Sequence, residues 1–181
     1  LNSKMAFKDA NGLYQAQDYR GAMEKYKEAL ELDEAGTGPA GAYFFMANSA
    51  DNLFRPARKG EPANDKFLTD AVDGYRKAAE SSADPKIKKL ALEYLVAAYN
   101  NPDKLNDPGQ AEPILQKMIE MDPKDTANIF ALAKIYEDSG IYDQAEQMLL
   151  KARETSPNEP AVYMQLAGYY NRQGEFDKTI E

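Results

Sequence analysis

This sequence is expected to fold as an all-α array of antiparallel helix pairs, on three observations. A pattern near the C-terminus is written twice. Leu132, Ala133, Tyr136, Gly140, Tyr142 and Pro123 recur as Leu166, Ala167, Tyr170, Gly174, Phe176 and Pro157, always 34 residues on (166 − 132 = 34). Similarity at a fixed period marks repeat architectures. Ala, Leu, Glu, Lys and Gln, all good helix formers, are abundant over the 181 residues. Finally, Pro- and Gly-containing breaks punctuate the chain at intervals of one helix.

Helices are predicted over 3–17 and 19–33, with Asp18 as N-cap of the second. The connector Gly36-Thr37-Gly38-Pro39 leads to a helix over 40–54. Pro56, Gly60 and Pro62 make Arg55 to Asn64 a loop, followed by a helix over 65–82. Asp84-Pro85 opens a helix over 86–100, because Pro is tolerated in a first turn. A polar loop with two prolines, Asn101 to Pro108, precedes helices over 109–121, 125–139, 142–155 and 159–173. A last helix is expected to start near Phe176. Gly140 and Gly174 stand where a leading helix must stop in a left-handed residue.

Ile129-x-x-Leu132-Ala133-x-x-Tyr136, then Ala145-x-x-x-Leu149, then Pro157, resembles the tetratricopeptide repeat. The template also fits upstream, with Ala22, Ala71, Ala111 and Ala145 as anchoring alanines and Thr179 in the fifth copy. These anchors lie 49, 40, 34 and 34 residues apart, so the early copies carry 15 and 6 extra residues. The resemblance implies a right-handed superhelical solenoid of about four and a half repeats in one domain spanning 1–181. Its copies cover about 3–35, 40–84, 86–124, 125–158 and an incomplete 159–181, with an insertion over 55–66 that is either disordered or a second binding element. The incomplete copy leads to the expectation that the natural protein continues past Glu181.

Composition narrows the function. The chain has no histidine and no cysteine, which removes the commonest acid–base group, the commonest metal ligand and all thiol chemistry. It has neither a phosphate-cradling glycine loop nor a dinucleotide fingerprint. Its carboxylates fall on faces expected to be solvated. The Asp-rich loop 101–107 lacks the glycine and terminal glutamate of a calcium loop. No enzyme activity, cofactor or metal site is therefore expected. A net charge of −8 argues against nucleic acid, which selects a basic face. No apolar run is long enough for a membrane helix. A soluble protein of the cytoplasm, or of the bacterial periplasm or exterior, fits equally.

The resemblance further implies that leading helices line a concave groove that takes a peptide or helix of another protein. Carried over by position, the groove residues are Phe7, Lys8, Asn11, Phe44, Phe45, Asn48, Tyr94, Asn101, Phe130, Lys134, Gln165 and Asn171. Asparagine amides can bond a peptide backbone as donor and acceptor, and aromatic rings supply apolar pockets. Family members that clamp an acidic chaperone tail use Lys, Asn, Asn, Lys and Arg. At those places this chain has Phe7, Asn11, Phe45, Leu90 and Tyr94, one match of five, so a neutral, apolar or mildly basic ligand is expected. The alternative is self-assembly, with the incomplete last copy stacking on another molecule into oligomers or a filament.

Overall fold

The structure, a computed structural model, describes residues 2–175. They fall into two compact units, one within 1–107 and one within 108–181. The first holds α1 (Ser3–Gln15), α2 (Tyr19–Leu32), α3 (Ala42–Leu53), a single 3-10 turn (Pro56–Arg58), α4 (Pro62–Ser81) and α5 (Pro85–Asn100). The second holds α6 (Pro108–Met121), α7 (Thr126–Asp138), α8 (Tyr142–Thr155) and α9 (Pro160–Arg172). Among the described residues there is no strand. The fold is all-α, as the periodicity predicts. The expected helix near Phe176, and Thr179 with it, lie outside the described residues.

Each helix packs on its chain neighbour within its unit: α1 on α2, α2 on α3, α3 on α4 and α4 on α5; then α6 on α7, α7 on α8 and α8 on α9. Small residues permit that approach. The anchors Ala22, Ala71, Ala111 and Ala145 are all fully buried. Gly74 extends the principle inside α4, where an added Cβ would stand 2.7 Å from Ala47 Cβ and 3.1 Å from the Tyr43 carbonyl.

Helix starts follow the capping residues. Asp18 accepts from the Gly21 amide at 3.0 Å and Asp84 from Lys86 at 2.9 Å, satisfying donors that have no partner within the helix. Gly140 and Gly174 adopt φ of 77° and 75°, the left-handed residues their position requires. The same position, five residues ahead of the anchoring alanine, holds Gln17 (φ 61°) before Ala22 and Asn106 (φ 49°) before Ala111. These four copies therefore share the geometry although two lack the glycine; the second copy, where Lys66 is helical, departs from it.

The extra residues of the early copies have defined structure. The segment 55–66 is not a disordered loop. Its second half is the first turn of α4, which starts at Pro62 because proline suits the first helical position. Buried Asn64 grips the Arg55 backbone from both sides, accepting from its amide at 2.8 Å and donating to its carbonyl at 2.9 Å. Asp65 accepts from the Gly60 amide at 3.0 Å. The start of α3 moves from 40 to 42, because Asp33 draws the Thr37 and Gly38 amides into a turn at 3.1 and 2.8 Å. The excess of the next copy is spread over a longer α5 and the loop 101–107, which folds back on α5 through Leu105 N to Ala98 O (3.2 Å) and Asp107 N to Tyr99 O (2.6 Å).

Candidate functional site

In the first unit the leading helices α1, α3 and α5 are joined by a run of aromatic rings. Tyr14 lies edge-on to Phe45 at 5.0 Å, Phe45 to Phe44 at 5.4 Å, and Phe44 to Tyr94 at 5.4 Å. Tyr19 extends the run beyond Tyr14, and Tyr75 of α4 packs on both Phe44 and Tyr94. Edge-to-face pairs of this kind add roughly 0.5–1.5 kcal/mol each beyond area burial.

A hydrogen-bonded chain crosses this bed. Tyr14 Oη donates to Asn48 Oδ1 at 2.9 Å, and Asn48 Nδ2 donates to Tyr75 Oη at 3.2 Å. Tyr75 Oη donates to Asp51 Oδ2 at 2.8 Å, and Lys104 Nζ meets Asp51 Oδ1 at 2.6 Å. Asn52 donates to the Asn48 carbonyl at 2.8 Å. Burial first, then the Asp51 charge, pushes the Tyr75 phenol far above its ordinary value. Burial also raises Tyr14, and pushes Tyr26 up to about 12. Ionising any of these phenols would place a negative charge in a poorly solvated place, and at Tyr75 it would also stand beside Asp51.

The expected groove residues divide by exposure. Phe7 and Phe44 are only 3% exposed, so both are corrected from groove to core. Phe7 packs beneath the turn at Gly38, and Phe44 is enclosed by Phe45, Tyr75 and Tyr94. Asn48, 8% exposed, is corrected likewise: its amide is engaged by Tyr14, Tyr75 and Asn52 and has little left for a ligand. Phe45 is half-buried among the rings of Tyr14, Tyr26 and Phe44. Lys8, Asn11, Tyr94 and Asn101 are exposed. Asn11 nevertheless accepts from Tyr26 Oη, and Asn101 from the Asp103 amide. Phe7, Lys8 and Asn11 meet Thr37 to Pro39 at an open cleft of about 420 Å³.

The second unit carries its own set. Phe130 is half-buried on α7, while Lys134 is exposed and paired with Asp138 at 2.7 Å. Gln165 and Asn171 are exposed on α9. Beside them Arg172 clamps Glu137 with two nitrogens, at 2.7 and 3.1 Å. Tyrosines tie each leading helix to the helix before it: Tyr136 Oη donates to Glu112, and Tyr170 Oη to Glu146, both at 2.9 Å.

Tyr75 and Lys104 were not expected on this face. Tyr75 sits on a second helix and reads as core, and nothing periodic marks Lys104 in its loop. Only the fold shows that Asp51 joins them.

Stacked helix pairs with buried small anchors and left-handed turns between helices define a helical-repeat protein. Residues 104–169 match the tetratricopeptide repeat family model. The stretch 104–169 thus carries the tetratricopeptide repeat that the motifs point to, and the chain as a whole shares the fold of such proteins. No curated protein matches it significantly. Among solved structures, YrrB, described as a TPR protein with an unusual peptide-binding site, is 21% identical over 96% of this chain and 79% of its own, with a TM-score of 0.60. MamA is 18% identical, with 94% and 88% covered and a TM-score of 0.64. A tetratricopeptide repeat protein from Parabacteroides merdae ATCC 43184 is 17% identical, with 98% and 62% covered and a TM-score of 0.69. Identities this low establish the fold alone. That fold is one generally used for protein–protein interaction and not for catalysis. Among the described residues no helix is long and apolar enough to cross a membrane.

Proposed function

We propose that this chain is a non-catalytic interaction scaffold that holds a peptide or helix of another protein against its leading helices. The reading rests on one observation above all: an exposed polar rim over an aromatic bed in the first unit. Tyr94, 38% exposed, offers a ring, and exposed Asn11, Asn52 and Asn101 of the same unit offer amides. Rigid rings with adaptable amides suit an extended or helical segment. YrrB, a likeness in fold, is described as having a peptide-binding site, which accords with this reading.

Affinity capture with mass-spectrometric identification would supply the partner, and purified partner would then be titrated into variants. Tyr94→Ala is expected to weaken binding by roughly tenfold, the scale of an aromatic contact at an interface. Glu28→Ala, at an exposed position on second helix α2, is expected to bind as wild type. Equal affinity for both variants would remove the assignment of this face. Phe45→Ala is a poorer probe, since its ring is part of the packed bed.

A further inference from the structure

We propose that Lys104 is an internal ligand. From within the chain it holds the place where a lysine or arginine side chain of a protein partner pairs with Asp51. The proposal rests on the reading of this face as the partner surface, and deepens it by naming the chemistry recognised.

Three observations carry it. Among the twelve residues of α3, Asp51 is the only charged one. An otherwise uncharged leading helix therefore presents a single carboxylate toward its neighbours. Second, the Asp51 side chain is only 7% exposed, and a carboxylate taken out of water needs both charge pairing and hydrogen bonds. Tyr75 supplies one hydrogen bond from the packed interior, and the compensating charge comes from Lys104. Third, that charge does not belong to the helical scaffold. It arrives from the loop 101–107, fifty-three residues away in sequence, where the third copy is longer than the later ones. The Lys104 side chain is 24% exposed, so its withdrawal opens Asp51 Oδ1 to solvent and leaves the Tyr75 bond in place. Tyr94 packs on the Tyr75 ring that bonds Asp51, and Asn52 follows Asp51 on α3. Together they suit the aliphatic stem of a basic side chain and the backbone that bears it.

An internal ligand lowers apparent affinity by the fraction of molecules in which it is withdrawn. Its removal should therefore strengthen binding of a basic probe. The test is fluorescence polarisation at low salt with labelled N-acetyl tetralysine amide, and tetraglutamate as its counterpart. Lys104→Ala is expected to bind tetralysine about tenfold more tightly than wild type, the gain for an open form of about a tenth of molecules. Lys59→Ala removes one positive charge at an exposed position of the same unit outside the expected groove and calibrates the general effect of net charge. Asp51→Asn in the Lys104→Ala background restores the wild-type net charge and should return affinity to the wild-type level or below. Lys104→Gln, which keeps a donor toward Asp51 without the charge, should fall between. Circular dichroism melts confirm that each variant is folded.

Equal gains for Lys104→Ala and Lys59→Ala would overturn the proposal, as would a gain that Asp51→Asn leaves intact. So would unfolding of both Lys104 variants, since the pair would then be a structural strut. The synthetic probe makes the outcome independent of the natural partner. Loss of the Tyr94 effect tests the surface, and the Lys104 series tests its occupant.

Discussion

Gln17 holds a backbone conformation that a Cβ disfavours, at a φ of 61°, while Gly140 and Gly174 occupy the equivalent place in later copies. A left-handed residue costs roughly 1–2 kcal/mol when it is not glycine, and glycine returns part of that through its unfolded-state entropy. The Gln17 side chain is exposed. Gln17→Gly is therefore expected to raise stability by about 0.5 kcal/mol, read as a higher urea midpoint with unchanged slope. A lower midpoint would show that the glutamine contributes something the backbone argument misses. Tyr75 shows the reverse situation, a hydroxyl whose loss leaves others unpaired. Tyr75→Phe removes one donor from Asp51 and one acceptor from Asn48, at an expected cost of about 1–2 kcal/mol. A variant as stable as wild type would mean that water replaces both bonds.

Among the helices, α4 departs most from the repeat pattern and makes the clearest predictions. Gly74 is where α4 meets α3. Alanine there gains helix propensity, roughly 1 kcal/mol. It also drives a Cβ to 2.7 Å from Ala47 Cβ, where neither atom can rotate away. Overpacking of this kind costs about 1–3 kcal/mol, so Gly74→Ala is expected to lower the thermal midpoint despite the better helix former. Asn64→Ala should also destabilise, by about 1–2 kcal/mol, because it frees the Arg55 amide and carbonyl together. Amide exchange at Arg55, fast in that variant and protected in wild type, checks the mechanism. These elements mark how far the sequence could be read. Capping and turn residues, Asp18, Asp84, Gly140 and Gly174 among them, act within a few residues of themselves, so most helix boundaries were legible to within about two positions. The start of α4 lies three positions earlier than expected, because Asn64 reads as a loop residue until its backbone partner Arg55 is known.

Across the whole molecule the buried phenols set the response to pH. Tyr14, Tyr26, Tyr75, Tyr136 and Tyr169 are all raised above the ordinary tyrosine value of 10.0, with burial as the first cause in each. On unfolding they regain that ordinary value, so above it the unfolded chain loses protons that the folded chain retains. Their contribution is complete below pH 10 and falls as pH rises from 10 to about 12, the value for Tyr26. Thermal melts at rising pH should show a steepening loss of stability in that interval, with only part of the absorbance of the twelve tyrosines appearing before unfolding and the rest together with it. Full tyrosinate absorbance before unfolding would contradict it.

Local chemistry and periodicity determined, from the sequence alone, that this chain is a helical-repeat protein, where its helices begin and end, and which alanines lie at its anchors. Those properties depend on neighbours one to seven residues away, or on a pattern that repeats at a fixed spacing. Tertiary structure alone decided which aromatics are surface and which are core. Phe44 and Tyr94 both fit the groove template, yet Phe44 is enclosed by three rings while Tyr94 keeps an open side. The pairing of Asp51 with Lys104 was likewise invisible, because a hydrogen bond across fifty-three residues of irregular loop and helix leaves no periodic trace. Burial and long-range pairing depend on where the chain returns to itself, and here an inserted loop makes that return.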